Sequence, residues 1–87
     1  MSTNTLNLQV DASARLGMNH QIADQIEAMI KSGELLPAEK LPPEQVLASD
    51  LNVSRDVVRR AYAILKNSGF IESQKRDGWH VKSSDLL

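Results

Sequence analysis

The stretch Leu47–Gly69, LASDLNVSRDVVRRAYAILKNSG, decides how the rest of the chain is read. It reads as the end of one helix, a tight turn at Asp50-Leu51-Asn52-Val53, and a second helix opened by Ser54. Serine suits that place because its hydroxyl can accept a hydrogen bond from an unpaired amide of the first turn. Asn52 suits the left-handed residue that ends a helix, since asparagine tolerates positive φ better than most residues. Inside the second helix Val58, Ala61, Tyr62 and Leu65 recur at steps of three and four, which marks one buried stripe. Arg55, Asp56, Arg59 and Arg60 fall largely off that stripe, near its amino end. Two helices joined by a short turn, the second with long polar side chains leading, form the pattern of helix-turn-helix DNA readout.

Upstream, Ile22, Ile26, Met29 and Ile30 predict an amphipathic helix from about Asn19, a candidate N-cap, to Ser32, with Gly33 ending it. Its acidic outer side (Asp24, Glu27) points to core packing rather than phosphate contact. Glu34–Leu41 reads as a loop that tucks Leu35, Leu36 and Leu41 inward around Pro37. Pro42-Pro43 announces the helix that ends in the quoted turn, with Glu44 complementing its dipole and Val46, Leu47 and Leu51 as its buried face. Before all of these, Leu8 and Val10 alternate with polar residues, compatible with a short edge strand. Residues 1–18 thus form a polar amino-terminal segment, 19–82 the domain and 83–87 a tail.

Downstream, Phe70–Gln74 and Trp79–Lys82 predict two strands joined at Lys75-Arg76-Asp77-Gly78, where Asp-Gly is a strong hairpin signal. A hairpin directly after the second helix of a helix-turn-helix is a wing. The expected fold is therefore α+β, mainly α: a winged helix-turn-helix of three helices and a β-hairpin, with room for a short amino-terminal strand.

Eighty-seven residues make one domain, small enough that dimerisation would add to a modest core. The absence of cysteine removes disulfides and thiol chemistry and fits a reducing cytoplasm. No apolar run approaches the roughly 18 residues of a membrane span. The net charge of −1 argues weakly against nucleic acid, but its distribution is polarised. Residues 1–53 carry three basic against seven acidic side chains, and residues 54–87 seven against four, so one cationic face is possible. His20 and His80 lack companion ligands for a metal. Neither a glycine-rich phosphate loop nor a triad with recognisable spacing is present, so no catalysis, cofactor or small-molecule site is expected.

From His20 to Val81 the chain resembles the amino-terminal DNA-binding domain of GntR-type bacterial regulators. The resemblance rests on Gln21-Ile22-Ala23-Asp24-Gln25-Ile26, then Ile30-x-x-Gly-x-Leu-x-Pro37, Lys40-Leu41-Pro42 and Leu47-Ala48. It continues through Leu51-x-Val-Ser-Arg55 and the run Val58–Gly69 to a glycine-containing hairpin. Arg60-Ala61-Tyr62 and the LQVDASA start are most similar to the YtrA type. The resemblance implies a transcriptional regulator, usually a repressor, acting as a homodimer on a palindromic double-stranded DNA operator. Departures stand at Ala38 (usually glycine), Pro43 (usually serine), Gln45 (usually a DNA-contacting arginine), Asp56 (usually threonine or asparagine) and Arg76 (usually glycine). Most such regulators continue into an effector-binding domain, so the chain is either a minimal protein or a piece of a longer one.

The expected DNA-binding residues are Gln45, Ser54, Arg55, Asp56, Arg59, Arg60, Lys75, Arg76 and Gly78. Arg55 and Arg59, one turn apart, each offer a planar fork for guanine O6 and N7. Arg60, about 100° round the helix, suits a phosphate or a carboxylate. Asp56 either complements the helix dipole, accepts from cytosine N4, or weakens phosphate affinity. Ser54 can meet a phosphate at the helix start, and Gln45 a phosphate or adenine. Lys75 and Arg76, beside Gly78, would place a basic tip in the minor groove. Trp79 is expected to pack on the domain or on a partner. The rival reading is a protein-interaction winged helix with little DNA affinity, favoured by Asp56, Gln45, the altered wing and the net charge.

Overall fold

The computed structural model describes residue 6, residues 8–74 and residues 78–82. Three helices are followed by an antiparallel hairpin: α1 (Met18–Ser32), α2 (Glu44–Leu51), α3 (Arg55–Asn67), β1 (Ile71–Gln74) and β2 (Gly78–Val81). The helices end as their sequences dictate. Gly33 stops α1 at φ 90° and Asn52 stops α2 at φ 58°, both left-handed. The start of α1 differs from expectation. It opens at Met18 behind Gly17, with no side-chain cap, so Asn19 lies inside the first turn.

The core forms where α3 packs against α1 and α2. Val58, Ala61, Tyr62 and Leu65 of α3 meet Ile22, Ala23 and Ile26 of α1 and Leu47 and Ala48 of α2 within one buried cluster. The strands close it from beneath, with Ile71 facing Val81 across the ladder and both 1% exposed. Two apolar residues, one leucine and one valine, behave differently from the sequence reading. Leu36 is 59% exposed and Val46 46% exposed, while Leu35, Leu41 and Leu47 are buried. A loop and a two-turn helix each had more apolar side chains than the inward-facing positions could take.

The segment before α2 is more ordered than a loop. Ala38 N–H donates to Val81 O (2.9 Å), Val81 N–H to Glu39 O (2.9 Å), and Leu41 N–H to Trp79 O (2.8 Å). Residues 38–41 therefore run along the open edge of β2 and satisfy it, which a two-stranded hairpin needs for stability. Ala38 makes this turn at φ 69°, the position where the resemblance leads one to expect glycine.

Among the described residues of the amino-terminal arm, no strand forms at Leu8–Val10. Leu6 and Leu8 are buried in the core, and the backbone of Gln9 and Asp11 is bonded by side chains of α1. Gln25 Nε2 donates to Gln9 O (2.6 Å) while its Oε1 accepts from Gln9 N–H (3.1 Å). One turn earlier on α1, Gln21 does the same for Asp11 (2.9 Å and 2.8 Å). A primary amide has the donor–acceptor pair of a peptide unit, so two glutamines at i and i+4 substitute for a strand edge.

Candidate nucleic-acid interface

The helix-turn-helix begins with Ser54, whose hydroxyl accepts from Val57 N–H at 3.3 Å, as an N-cap does. That cap fixes where α3 starts and so which face its first two turns present. The stripe Val58, Ala61, Tyr62 and Leu65 is buried, which turns Arg55, Arg59 and Arg60 to solvent. Their side chains are 69%, 66% and 69% exposed.

None of the three is without a carboxylate. Asp56, in the first turn, takes Arg59 Nη2 on one oxygen and Arg60 Nε on the other, the latter at 2.9 Å. Arg55 Nε lies 3.6 Å from Glu44 Oε1 at the opening of α2. Exposed ion pairs of this kind contribute little, from nothing to about 1 kcal/mol, because water and salt screen them. They orient the guanidinium groups and can be exchanged for phosphate or a base edge at small cost. Of the readings open for Asp56, the structure adds one the sequence left unstated: it organises two neighbouring arginines.

Gln45, next along α2, is exposed, and Gly78 stands exposed at φ 77° where β2 begins. Lys75 and Arg76 lie outside the described residues. Trp79 packs on the domain, as expected. Its ring meets Tyr62 edge-on at 5.4 Å and 66°, and its indole N–H donates to Glu44 Oε2 at 3.3 Å. Tyr62 is wholly buried and donates its hydroxyl to Pro42 O at 2.7 Å. Burial, and then the nearby Glu44 charge, push the Tyr62 phenol above its ordinary 10.0. From the sequence, Glu44 is only a dipole complement to α2. No spacing rule links residues 44, 55 and 79, so nothing local in the sequence could have paired them.

No group of His, Cys, Asp and Glu among the described residues could hold a metal ion. No helix among them is long and apolar enough to cross a membrane.

With this geometry in place, residues 18–81 match the model of the bacterial regulatory proteins of the gntR family. The chain is 41% identical over 64 residues to the Exu regulon transcriptional regulator of Escherichia coli (strain K12), covering 74% of this chain and 25% of that protein. It is 43% identical over 58 residues to the HTH-type transcriptional regulator LutR of Bacillus subtilis (strain 168), covering 67% and 26%. The chain thus spans about a quarter of the length of these curated relatives. Among solved structures it superposes on YtrA from Sulfolobus acidocaldarius, a GntR-family transcription factor, with a TM-score of 0.82. The identity there is 39%, over 88% of this chain and 81% of that one. AraR(DBD) in complex with operator ORX1 gives a TM-score of 0.72 at 29% identity, over 85% and 95%. A winged helix-turn-helix with these matches along most of its length leaves one assignment: the chain belongs to the gntR family of bacterial regulators of transcription.

Proposed function

We propose that this chain is a sequence-specific regulator of transcription that binds operator DNA as a repressor. In this reading α3 lies in the major groove and the hairpin reaches the adjacent minor groove. The observation that carries the proposal is the outward row of Arg55, Arg59 and Arg60 at the opening of a capped helix, on a fold shared with an operator-bound domain. Arg55 and Arg59 read base edges, Arg60 takes a phosphate, and Ser54 and Gln45 contact the backbone beside the helix openings. Asp56 keeps Arg59 and Arg60 oriented until DNA replaces it. Lys75, Arg76 and Gly78 complete the proposed contacts, with the two cations serving the minor groove. Two copies bind as a homodimer to a palindromic site whose half-sites are separated by about 34–36 Å or a multiple of it. The site of action is the cytoplasm.

The rival reading, a protein-interaction domain, draws on one specific feature: Asp56 occupies both Arg59 and Arg60, in a chain of net charge −1. A fluorescence-polarisation titration against a random-sequence duplex at two salt concentrations separates the two. About three phosphate contacts per subunit give a log–log salt slope of about −3 for each bound subunit, and so about −5 for the homodimer. Absence of binding at low salt would overturn the DNA reading and favour the rival.

A further inference from the structure

Among the described residues, Glu44 is the one carboxylate that contacts two further parts of the proposed interface, α3 and the hairpin, from its own place on α2. It belongs to the first turn of α2, its Oε1 faces Arg55 at the start of α3, and its Oε2 accepts from Trp79 in β2. Its side chain is 16% exposed, against 69% for its arginine partner. The carboxylate is therefore the fixed member of the pair and the guanidinium the one that adapts.

Its fixation has identifiable causes. Trp79 packs its ring edge-on against Tyr62 (5.4 Å), and Leu41 N–H bonds its backbone carbonyl (2.8 Å), which places the residue beside the opening of α2. Tyr62 is anchored in turn on Pro42 O, two residues before Glu44. Pro42, Tyr62, Trp79 and Glu44 thus close a ring of contacts between the opening of α2, the middle of α3 and the hairpin. Arg55 is the member that projects from this ring into solvent. It faces Glu44 through Nε, and as a 69% exposed side chain it can offer its terminal Nη groups to an acceptor pair such as guanine O6 and N7.

We propose that Glu44 is a positioning residue for base readout: seated by the Trp79 indole, it aims Arg55 and couples the set of the hairpin to the first reading side chain of α3. The inference rests on the DNA-binding reading above and extends it to a residue that makes no DNA contact itself. The competing account, in which Glu44 only complements the α2 dipole, makes different demands. A dipole partner affects stability alone. A positioning residue affects the preference for one sequence over others, and only while Arg55 is present.

The test uses the whole chain and two probes: a random-sequence duplex pool, and the duplex that the wild-type chain enriches from that pool. Glu44→Gln retains an oxygen for the Trp79 indole but removes the charge facing Arg55. Its expected effect is a drop of about tenfold in the preference for the enriched duplex. Affinity for the random pool should stay level or rise slightly, since a negative charge near phosphates is removed. In an Arg55→Ala background the same substitution should change the preference no further, as coupled residues require. Trp79→Phe, which keeps the ring and loses the N–H, should lower the preference in the same direction by a smaller factor. An unchanged preference in Glu44→Gln, or a loss that adds in full to that of Arg55→Ala, overturns the proposal. The Arg55 Nε–H resonance supplies a readout without DNA. It should move in Glu44→Gln while the Trp79 indole signal stays near its place, and a stationary Arg55 signal overturns the proposal whatever DNA does. Failure of the wild-type chain to bind either duplex, with the Arg55 signal moving as expected, would instead defeat the DNA-binding reading.

Discussion

The amino-terminal arm on α1 and the leading face of α3 solve opposite problems with side chains at the same spacing. On α1, Gln21 and Gln25 stand at i and i+4 and close neutral, two-way hydrogen bonds onto the backbone of Asp11 and Gln9. On α3, Asp56 and Arg60 stand at i and i+4 as well, with Arg59 joining at i+3, and the bonds are between charges in water. The amide pairs match the geometry of a peptide unit and fasten one segment of this chain to another. The ion pairs are screened and weak, so another anion can take the arginines without disturbing the fold. The difference separates a fastening from a poised surface, and it can be tested from both sides.

The largest effect is expected on α3. Arg55→Ala and Arg59→Ala should each reduce affinity for the preferred duplex by roughly 5- to 150-fold per bound subunit, the range for one bidentate arginine–guanine contact. Melting temperatures should stay within a few degrees of wild type, because both side chains are exposed. A large loss of thermal stability in either variant would contradict the picture of a poised surface.

Tyr62 lies in the packed layer beneath both regions and reports on its integrity through pH. Its phenol has a folded pKa above its unfolded one, so the neutral form is favoured by folding and the contribution is fully present below pH 10. As pH rises past 10 the unfolded chain ionises first, and stability should fall by up to about 1.4 kcal/mol per pH unit until the folded phenol titrates too. Chemical denaturation from pH 9 upward, repeated on Tyr62→Phe, checks this. The part of the slope due to Tyr62 should vanish in the variant.

Gln25→Ala removes both bonds to Gln9 and should cost about 1 kcal/mol by urea denaturation. DNA affinity should not change. A change in affinity without loss of stability would mean that the arm belongs to the binding surface. Asp56→Asn acts the other way, raising affinity for random duplex about two- to fivefold by removing a charge that competes with phosphate, with a steeper salt slope. The smallest effect is expected at Ala38→Gly. Glycine relieves the left-handed φ of 69° but loses more chain entropy, for a net gain of about 0.5 kcal/mol in the melting equilibrium.

Much of this arrangement was legible before any coordinates. Ser54 as a cap, Asn52 and Gly33 as left-handed stops, and the stripe Val58, Ala61, Tyr62 and Leu65 all appear where the residues predict. The bounds of the two strands follow within a residue at each end. The misreadings have a common cause. Leu36 and Val46 are apolar and were placed inside, although apolar character says only that a side chain can be buried and not that room exists. The Leu8–Val10 alternation identified the buried side of the arm correctly, but burial pattern does not name the partner for the backbone, and here the partner is glutamine. The candidate site is legible as a set of exposed arginines, while the sequence assigns Glu44 only a dipole role and Asp56 a dipole, base or phosphate role, and pairs neither with an arginine.

The chain by itself determined what depends on neighbours within a turn or two: where helices begin and stop, which stripe is apolar, and that the cations gather at one helix opening. Caps, left-handed stops and i, i+4 periodicity act over a few ångströms along the backbone, so residue order suffices to specify them. Only the tertiary structure decided that Glu44 faces Arg55 and Trp79, that residues 38–41 close the edge of β2, and that two amides replace a strand. Those contacts join positions 10 to 40 or more residues apart, and they arise because packing α3 between α1 and α2 leaves one place for each of them.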